Sequence, residues 1–167
     1  MKTILPFLIG FILAFGAVVA ISQPWNPAVY QPIAFNHKKH AVEQDLPCNF
    51  CHEYVEEAYF AGLPSVEICL NCHDSPITDS PEEEKIRQHA QRGAEIRWKK
   101  VYRVPDHVYF SHRRHVTIAG IACTRCHGAI AESERPPVRP VIFPSMENCI
   151  NCHRQRKVTT NCNACHK

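Results

Sequence analysis

The sequence predicts a helix-poor, mostly irregular chain with few short helices, preceded by one N-terminal transmembrane helix. Three observations predict it. The pattern C-x-x-C-H occurs five times in 167 residues, at Cys48, Cys51 and His52; Cys69, Cys72 and His73; Cys123, Cys126 and His127; Cys149, Cys152 and His153; and Cys162, Cys165 and His166. It uses all ten cysteines. Thirteen prolines stand against six glycines, as suits an extended, turn-rich chain. Ile4 to Ile21 is an uninterrupted uncharged, apolar stretch.

The repeated motif reads as covalent attachment of haem c. Two thiols add across the two vinyl groups of one porphyrin, and the histidine that follows turns beneath the ring to ligate iron. Zinc ribbons, redox dithiols and disulfides would each explain paired cysteines, but none explains a histidine after all five pairs. The expectation is five haem c groups, with the ten cysteines as thioether donors and His52, His73, His127, His153 and His166 as proximal ligands. About 145 residues follow the leader, about 29 per haem, which is too little chain to build an ordinary core around each one. The haems are therefore expected to form much of the core, and the chain is not expected to fold without them.

The formal charge of +3 describes the chain without haem. Each haem adds about −1 when oxidised and −2 when reduced, so five add about −5 to −10. The loaded protein is acidic, and nucleic-acid binding is excluded as an inference from the apparent basicity.

Taken in order, residues 1–22 form the expected anchor. At 1.5 Å per residue, Ile4 to Ile21 spans about 27 Å, close to a bilayer's hydrocarbon thickness. Val18-x-Ala20 would pass as a signal-peptide cleavage site, but an uncleaved anchor is the reading taken. Lys2 puts the amino terminus in the cytoplasm by the positive-inside tendency, and everything after Gln23 on the other face. The expected localisation is thus the cytoplasmic membrane, single-pass, with the haem domain on the periplasmic side. Residues 23–79 would hold haems I and II, 80–104 a helical linker, and 105–167 haems III, IV and V.

Two internal repeats organise the haem modules. Phe35-Asn-His37-Lys38-Lys39-His40 before Cys48 aligns with Phe110-Ser-His112-Arg113-Arg114-His115 before Cys123. Pro64-Ser65-Val66-Glu67-Ile68-Cys69 aligns with Pro144-Ser145-Met146-Glu147-Asn148-Cys149, and both continue through their motifs. The four basic residues between the paired histidines read as solvated. Ser80 to Gln91 carries a helix start, with Ser80 as cap, Pro81 at the first helical position and Glu83 completing a capping box, and Gly93 stops it. Its charges read as a solvated face. Trp98 to His115 reads as short extended segments whose aromatics, Trp98, Tyr102 and Tyr109 among them, pack. Residues 131–144 form a stiff proline-rich surface connection.

The F-x-H-x-x-H segment ahead of the first motif resembles the class III multihaem cytochromes c, so the fold class expected is multihaem cytochrome c, class III-like. The resemblance implies that His37 caps haem I and His112 haem III, while His40 and His115 cap other haems. For the fifth distal ligand Met146 leads, with His107 and then His89 as alternatives. A methionine would raise the potential of its haem, but Val66, its repeat counterpart, cannot ligate. Five irons face six spare histidines and a methionine, so each can be six-coordinate. That favours electron transfer over catalysis, and no catalytic residue is expected.

The stretch W-x-x-V-Y-x-V-P-D-H-V-Y-F-S-H-x-x-H, followed by C-x-x-C-H-G and M-x-x-C-x-x-C-H, resembles the pentahaem membrane-anchored cytochrome c subunit of alternative complex III and the related subunit of quinone reductase complexes. It implies a respiratory electron-transfer subunit of a membrane quinol oxidoreductase, not an enzyme by itself. Its partners would be integral membrane quinol-binding and iron-sulfur subunits and a periplasmic electron acceptor or terminal oxidase. The alternatives are a stand-alone membrane-tethered shuttle and, further off, a multihaem reductase of a small oxyanion.

Overall fold

The computed structural model describes residues 4–22 and 27–166. Seven α-helices punctuate them: α1 (Ile4–Ser22), α2 (Cys48–Cys51), α3 (Val66–His73), α4 (Pro81–Gln91), α5 (Thr124–His127), α6 (Met146–Gln155) and α7 (Cys162–Cys165). Two π-helical turns, Lys39–Glu43 and Arg114–Ile118, and a 3-10 turn, Ile130–Glu132, complete the regular structure. No strand forms among the described residues; one antiparallel bridge joins Val108 to His166.

The sequence repeats fold alike. The two π-helical turns occupy equivalent positions, and π turns are short insertions that recur where a side chain must be aimed at a functional site. Helices α3 and α6 begin alike too. The Ser65 hydroxyl accepts from the Ile68 N–H, and the Ser145 hydroxyl from the Asn148 N–H, each satisfying one donor of a helix start that has no partner within the helix. Helix α4 starts at Pro81 behind the Ser80 cap, and Gly93 at φ +59° turns the chain off its end.

What lies between these elements is not packed in the ordinary way. Only Ile33, Val55, Val66, Ile86 and Ile96 are buried hydrophobic residues among those described, and no side chain is completely enclosed. Ile33, Val66, Ile86 and Ile96 form one small cluster, with Trp98 against it, and the Trp98 indole N–H donates to the Pro64 carbonyl at 2.9 Å. Helix α4 thus packs on α3 and completes this small core. The chain exposes 12735 Å², whereas a folded protein of 19.1 kDa exposes about 8,400 Å² by the usual scaling. This polypeptide is a shell whose interior surface is laid out for something it does not itself supply.

Two expectations change here. Glu83 does not complete a capping box: its carboxylate accepts from the Ile77 and Thr78 N–H groups and from the Thr78 hydroxyl at 2.6 Å, and the residue is buried at 7% exposure. The face of α4 that carries it is therefore not solvated. The second correction concerns the anchor. Among the described residues no helix is long and apolar enough to cross a membrane, which overturns the transmembrane helix and, with it, the single-pass localisation in the cytoplasmic membrane with a periplasmic haem domain. The orientation reading at Lys2 and the boundary at Gln23 lie outside the described residues.

Candidate haem sites

The motif cysteines lie on or beside short helical turns. Helices α2 and α7 run from the first to the second cysteine of their motifs, and α5 carries Cys126 and His127. Helix α3 carries Cys69 and Cys72 and ends at His73, whereas α6 carries Cys149 and Cys152 and runs on past His153 to Gln155. None of the ten cysteines is joined in a disulfide; within α6, Cys149 is exposed and Cys152 half-buried. Burial pushes the Cys51, Cys123, Cys126 and Cys149 thiols up from their ordinary range, and Cys69 up to about 11. Reactive redox cysteines show the opposite shift. No cluster of three or more metal-ligating side chains forms among the described residues, as a bare zinc site would need.

The histidines are oriented through their Nδ1 atoms. His40 Nδ1 lies 2.8 Å from the Asn36 carbonyl and His115 Nδ1 2.8 Å from the Ser111 carbonyl, at equivalent points of the repeat. His52 meets the Gly62 carbonyl at 2.9 Å, His112 the Tyr59 carbonyl at 3.0 Å and His153 the Thr159 carbonyl at 2.7 Å. A carbonyl oxygen only accepts, so each Nδ1 carries a proton, which leaves Nε2 as the atom that would reach a metal. Gly62 makes one of these contacts possible. Its φ of +82° aims the carbonyl at His52, and an added Cβ would stand 2.9 Å from the Tyr54 ring.

Phenylalanines set the angle between the paired histidines. Phe35 stacks on His40 at 4.4 Å between centroids and meets His37 edge-on at 4.9 Å; Phe110 stacks on His115 at 4.6 Å and meets His112 edge-on at 5.0 Å. The two rings of each pair are thereby splayed apart, facing different spaces. Burial holds His37 down at about 4, and burial likewise lowers His112 and His127 below the usual imidazole range. All three stay neutral, the form that binds metal.

Imidazoles far apart in sequence then face one another. His40 lies 6.0 Å from His73, His115 lies 6.2 Å from His153, and His107 lies 5.5 Å from His166, centroid to centroid. Two imidazoles bound to opposite sides of one metal, with bonds of about 2 Å, put their centroids about 6 Å apart. After burial, His52 is the largest electrostatic influence on His37, and His112 the largest on His127. An open pocket is lined by Cys123, Cys126 and His127 of one motif together with His112 and His115. These residues fit the group.

The remaining candidates fare differently. Met146 opens α6 at 69% exposure, while its counterpart Val66 is buried. His89 turns its Nδ1 to the Ala94 carbonyl at 3.2 Å, an ordinary role at the end of α4. Tyr102, read from sequence as packing, does more. Its hydroxyl donates to the Cys126 carbonyl at 3.1 Å and accepts from the Val141 N–H at 2.8 Å, and its ring meets His127 at 4.6 Å. Its partners lie in other segments, which sequence spacing does not encode.

A shell with a small core, attachment cysteines on short turns and facing imidazoles defines a multihaem cytochrome c. The comparisons agree. Residues 17–97 match the class III cytochrome c family, and residues 108–167 match cytochrome c7 and related cytochrome c. The chain is 30% identical, over 184 aligned positions, to the menaquinone reductase multihaem cytochrome c subunit of Nitratidesulfovibrio vulgaris, covering 96% of this chain and 87% of that protein. The chain belongs to the multihaem class III cytochrome c family, whose members transfer electrons through covalently bound haem.

Proposed function

We propose that this chain holds five haem c groups, each between two imidazoles, and conducts electrons as the cytochrome subunit of a quinone oxidoreductase. The observation that carries the reading is that three motif histidines, His73, His153 and His166, each have a second imidazole, His40, His115 and His107, at 6.0, 6.2 and 5.5 Å between centroids. The pairs are His52 with His37 at haem I, His73 with His40 at haem II, His127 with His112 at haem III, His153 with His115 at haem IV, and His166 with His107 at haem V. His107 takes the place of Met146 as the fifth distal ligand, supported by its ring facing His166 and by the Val108–His166 bridge beside it.

The same contacts support a spatial order II–I–III–IV–V. His37 and His40, three residues apart, join haems I and II, and His112 and His115 join III and IV, where the Cys126 and Cys152 thiols also approach. Haems I and III meet where the His112 N–H and Nδ1 both reach the Tyr59 carbonyl and where the Cys48 and Cys123 thiols approach. Haem V adjoins IV through Cys149 and Cys165. When bound, haem supplies the one-electron iron couple. The protein would hold the rings and leave no axial position open for substrate, which is what a conductor needs.

The partner reading rests on the relative named as a menaquinone reductase subunit. It favours electrons passing toward a quinone through integral membrane quinone-binding and iron-sulfur subunits, with a soluble redox carrier as the donor. The test is native purification followed by oxidation of the reduced protein. Copurifying subunits, and reoxidation by a menaquinone analogue only in their presence, are expected. A monomer as the sole native form would favour the stand-alone shuttle.

A further inference from the structure

Haem II is set apart by what stands behind its proximal histidine. Five of the proposed ligands, His40, His52, His112, His115 and His153, direct Nδ1 to a neutral backbone carbonyl. His73 does not. Its Nδ1 is buried without a hydrogen-bond partner, and Glu83 Oε2 lies 3.6 Å away. His153, the repeat counterpart of His73 on an equivalent helix, has the Thr159 carbonyl there instead, so the two similarly built haems differ at this point.

The carboxylate is held in place rather than lying there by chance. Thr78 donates its hydroxyl to Oε1, the Ile77 and Thr78 N–H groups donate to Oε2, and Arg87 Nη1 stands 3.9 Å off. These donors keep Glu83 ionised although it is buried. An anion facing a ligand's Nδ1–H makes the imidazole a stronger donor to iron, and its charge favours the ferric over the ferrous state.

We propose that Glu83 is a positioning and potential-setting residue that acts through His73 to make haem II more reducing than haem IV. This rests on the reading of His73 as an axial ligand of haem II. No bond or proton moves: one electron leaves or enters the iron, while Nδ1 keeps its proton and Glu83 its charge. In the proposed order haem II is one end of the row, so the chain would carry a strongly reducing site at one terminus.

The test is an electron-paramagnetic-resonance-monitored redox titration of the loaded full chain and its Glu83→Gln and Glu83→Asp variants. The haem II signal is identified as the one lost in His40→Ala. In Glu83→Gln the haem II couple is expected to shift toward reduction by tenfold or more, 59 mV for one electron, with haem IV unmoved; Glu83→Asp, which keeps the charge, should move it less. A haem II couple unchanged in a fully loaded, low-spin Glu83→Gln protein overturns the proposal, as does an equal shift of all five. Should Glu83→Gln not fold, the wild-type titration decides: haem II must titrate below haem IV, and the reverse order overturns it. If haem is missing from Cys69 and Cys72, or His40→Ala leaves every haem six-coordinate, the ligand reading fails instead.

Discussion

Removing the His107 ring should open one iron in five. His107 and His166 face each other at 5.5 Å with planes 18° apart, so His107→Ala deletes one of the two nitrogens that would lie across a single metal. Of the remaining imidazoles, His40 and His115 lie against His73 and His153, His37 and His112 are assigned to haems I and III in the proposal, and His89 is turned to Ala94. With the five haems proposed, the expected effect is about one fifth of the iron converting from low to high spin, with haem still covalently attached because Cys162, Cys165 and His166 are untouched. The assay is spin quantification by electron paramagnetic resonance beside a haem count on the same sample. Met146→Leu is the matched control and should leave all haem low-spin. High-spin iron in Met146→Leu, with none in His107→Ala, would refute the reasoning and restore the methionine.

Three further outcomes follow from local geometry. Tyr102→Phe removes a hydroxyl that bridges the Cys126 carbonyl and the Val141 N–H; denaturation of the loaded protein should show a loss of about 1–2 kcal/mol, with the haem count unchanged. Gly62→Ala forces a side chain into φ +82° and against the Tyr54 ring, a cost of about 1–2 kcal/mol from the backbone alone. Loss of order at His52 should appear as a shift in the haem I signal, and an unshifted signal would mean that the Gly62 carbonyl does not orient that ring. Ser145→Ala removes the cap of α6 and should cost about 1 kcal/mol in the same denaturation assay.

Local features were readable from the sequence, and long-range ones were not. The F-x-H-x-x-H spacing marked His37, His40, His112 and His115, because a π-helical turn and a stacked phenylalanine are set by residues only a few positions apart. Which motif histidine His40 or His115 faces depends on how separate segments dock, and no spacing encodes that. Spacing does not order His107 and Met146 for the same reason: the ring beside His107, His166, is brought to it by a backbone bridge between distant segments. Glu83 sits in a run of charges that reads as a solvated helix face, and only the docking of α4 on α3 reveals that it is buried. Apolarity alone made residues 4–21 look membrane-spanning, whereas no described helix meets the length and hydropathy that crossing requires.

The central claim is that five haems are each held between two imidazoles. Its most direct measurement is a combined haem count and low-spin iron quantification on the intact, loaded chain. The account predicts five haems, all low-spin in both redox states and none with methionine-ligand absorption. Fewer than five haems, or a ferric high-spin fraction near one fifth in the wild-type protein, would contradict it.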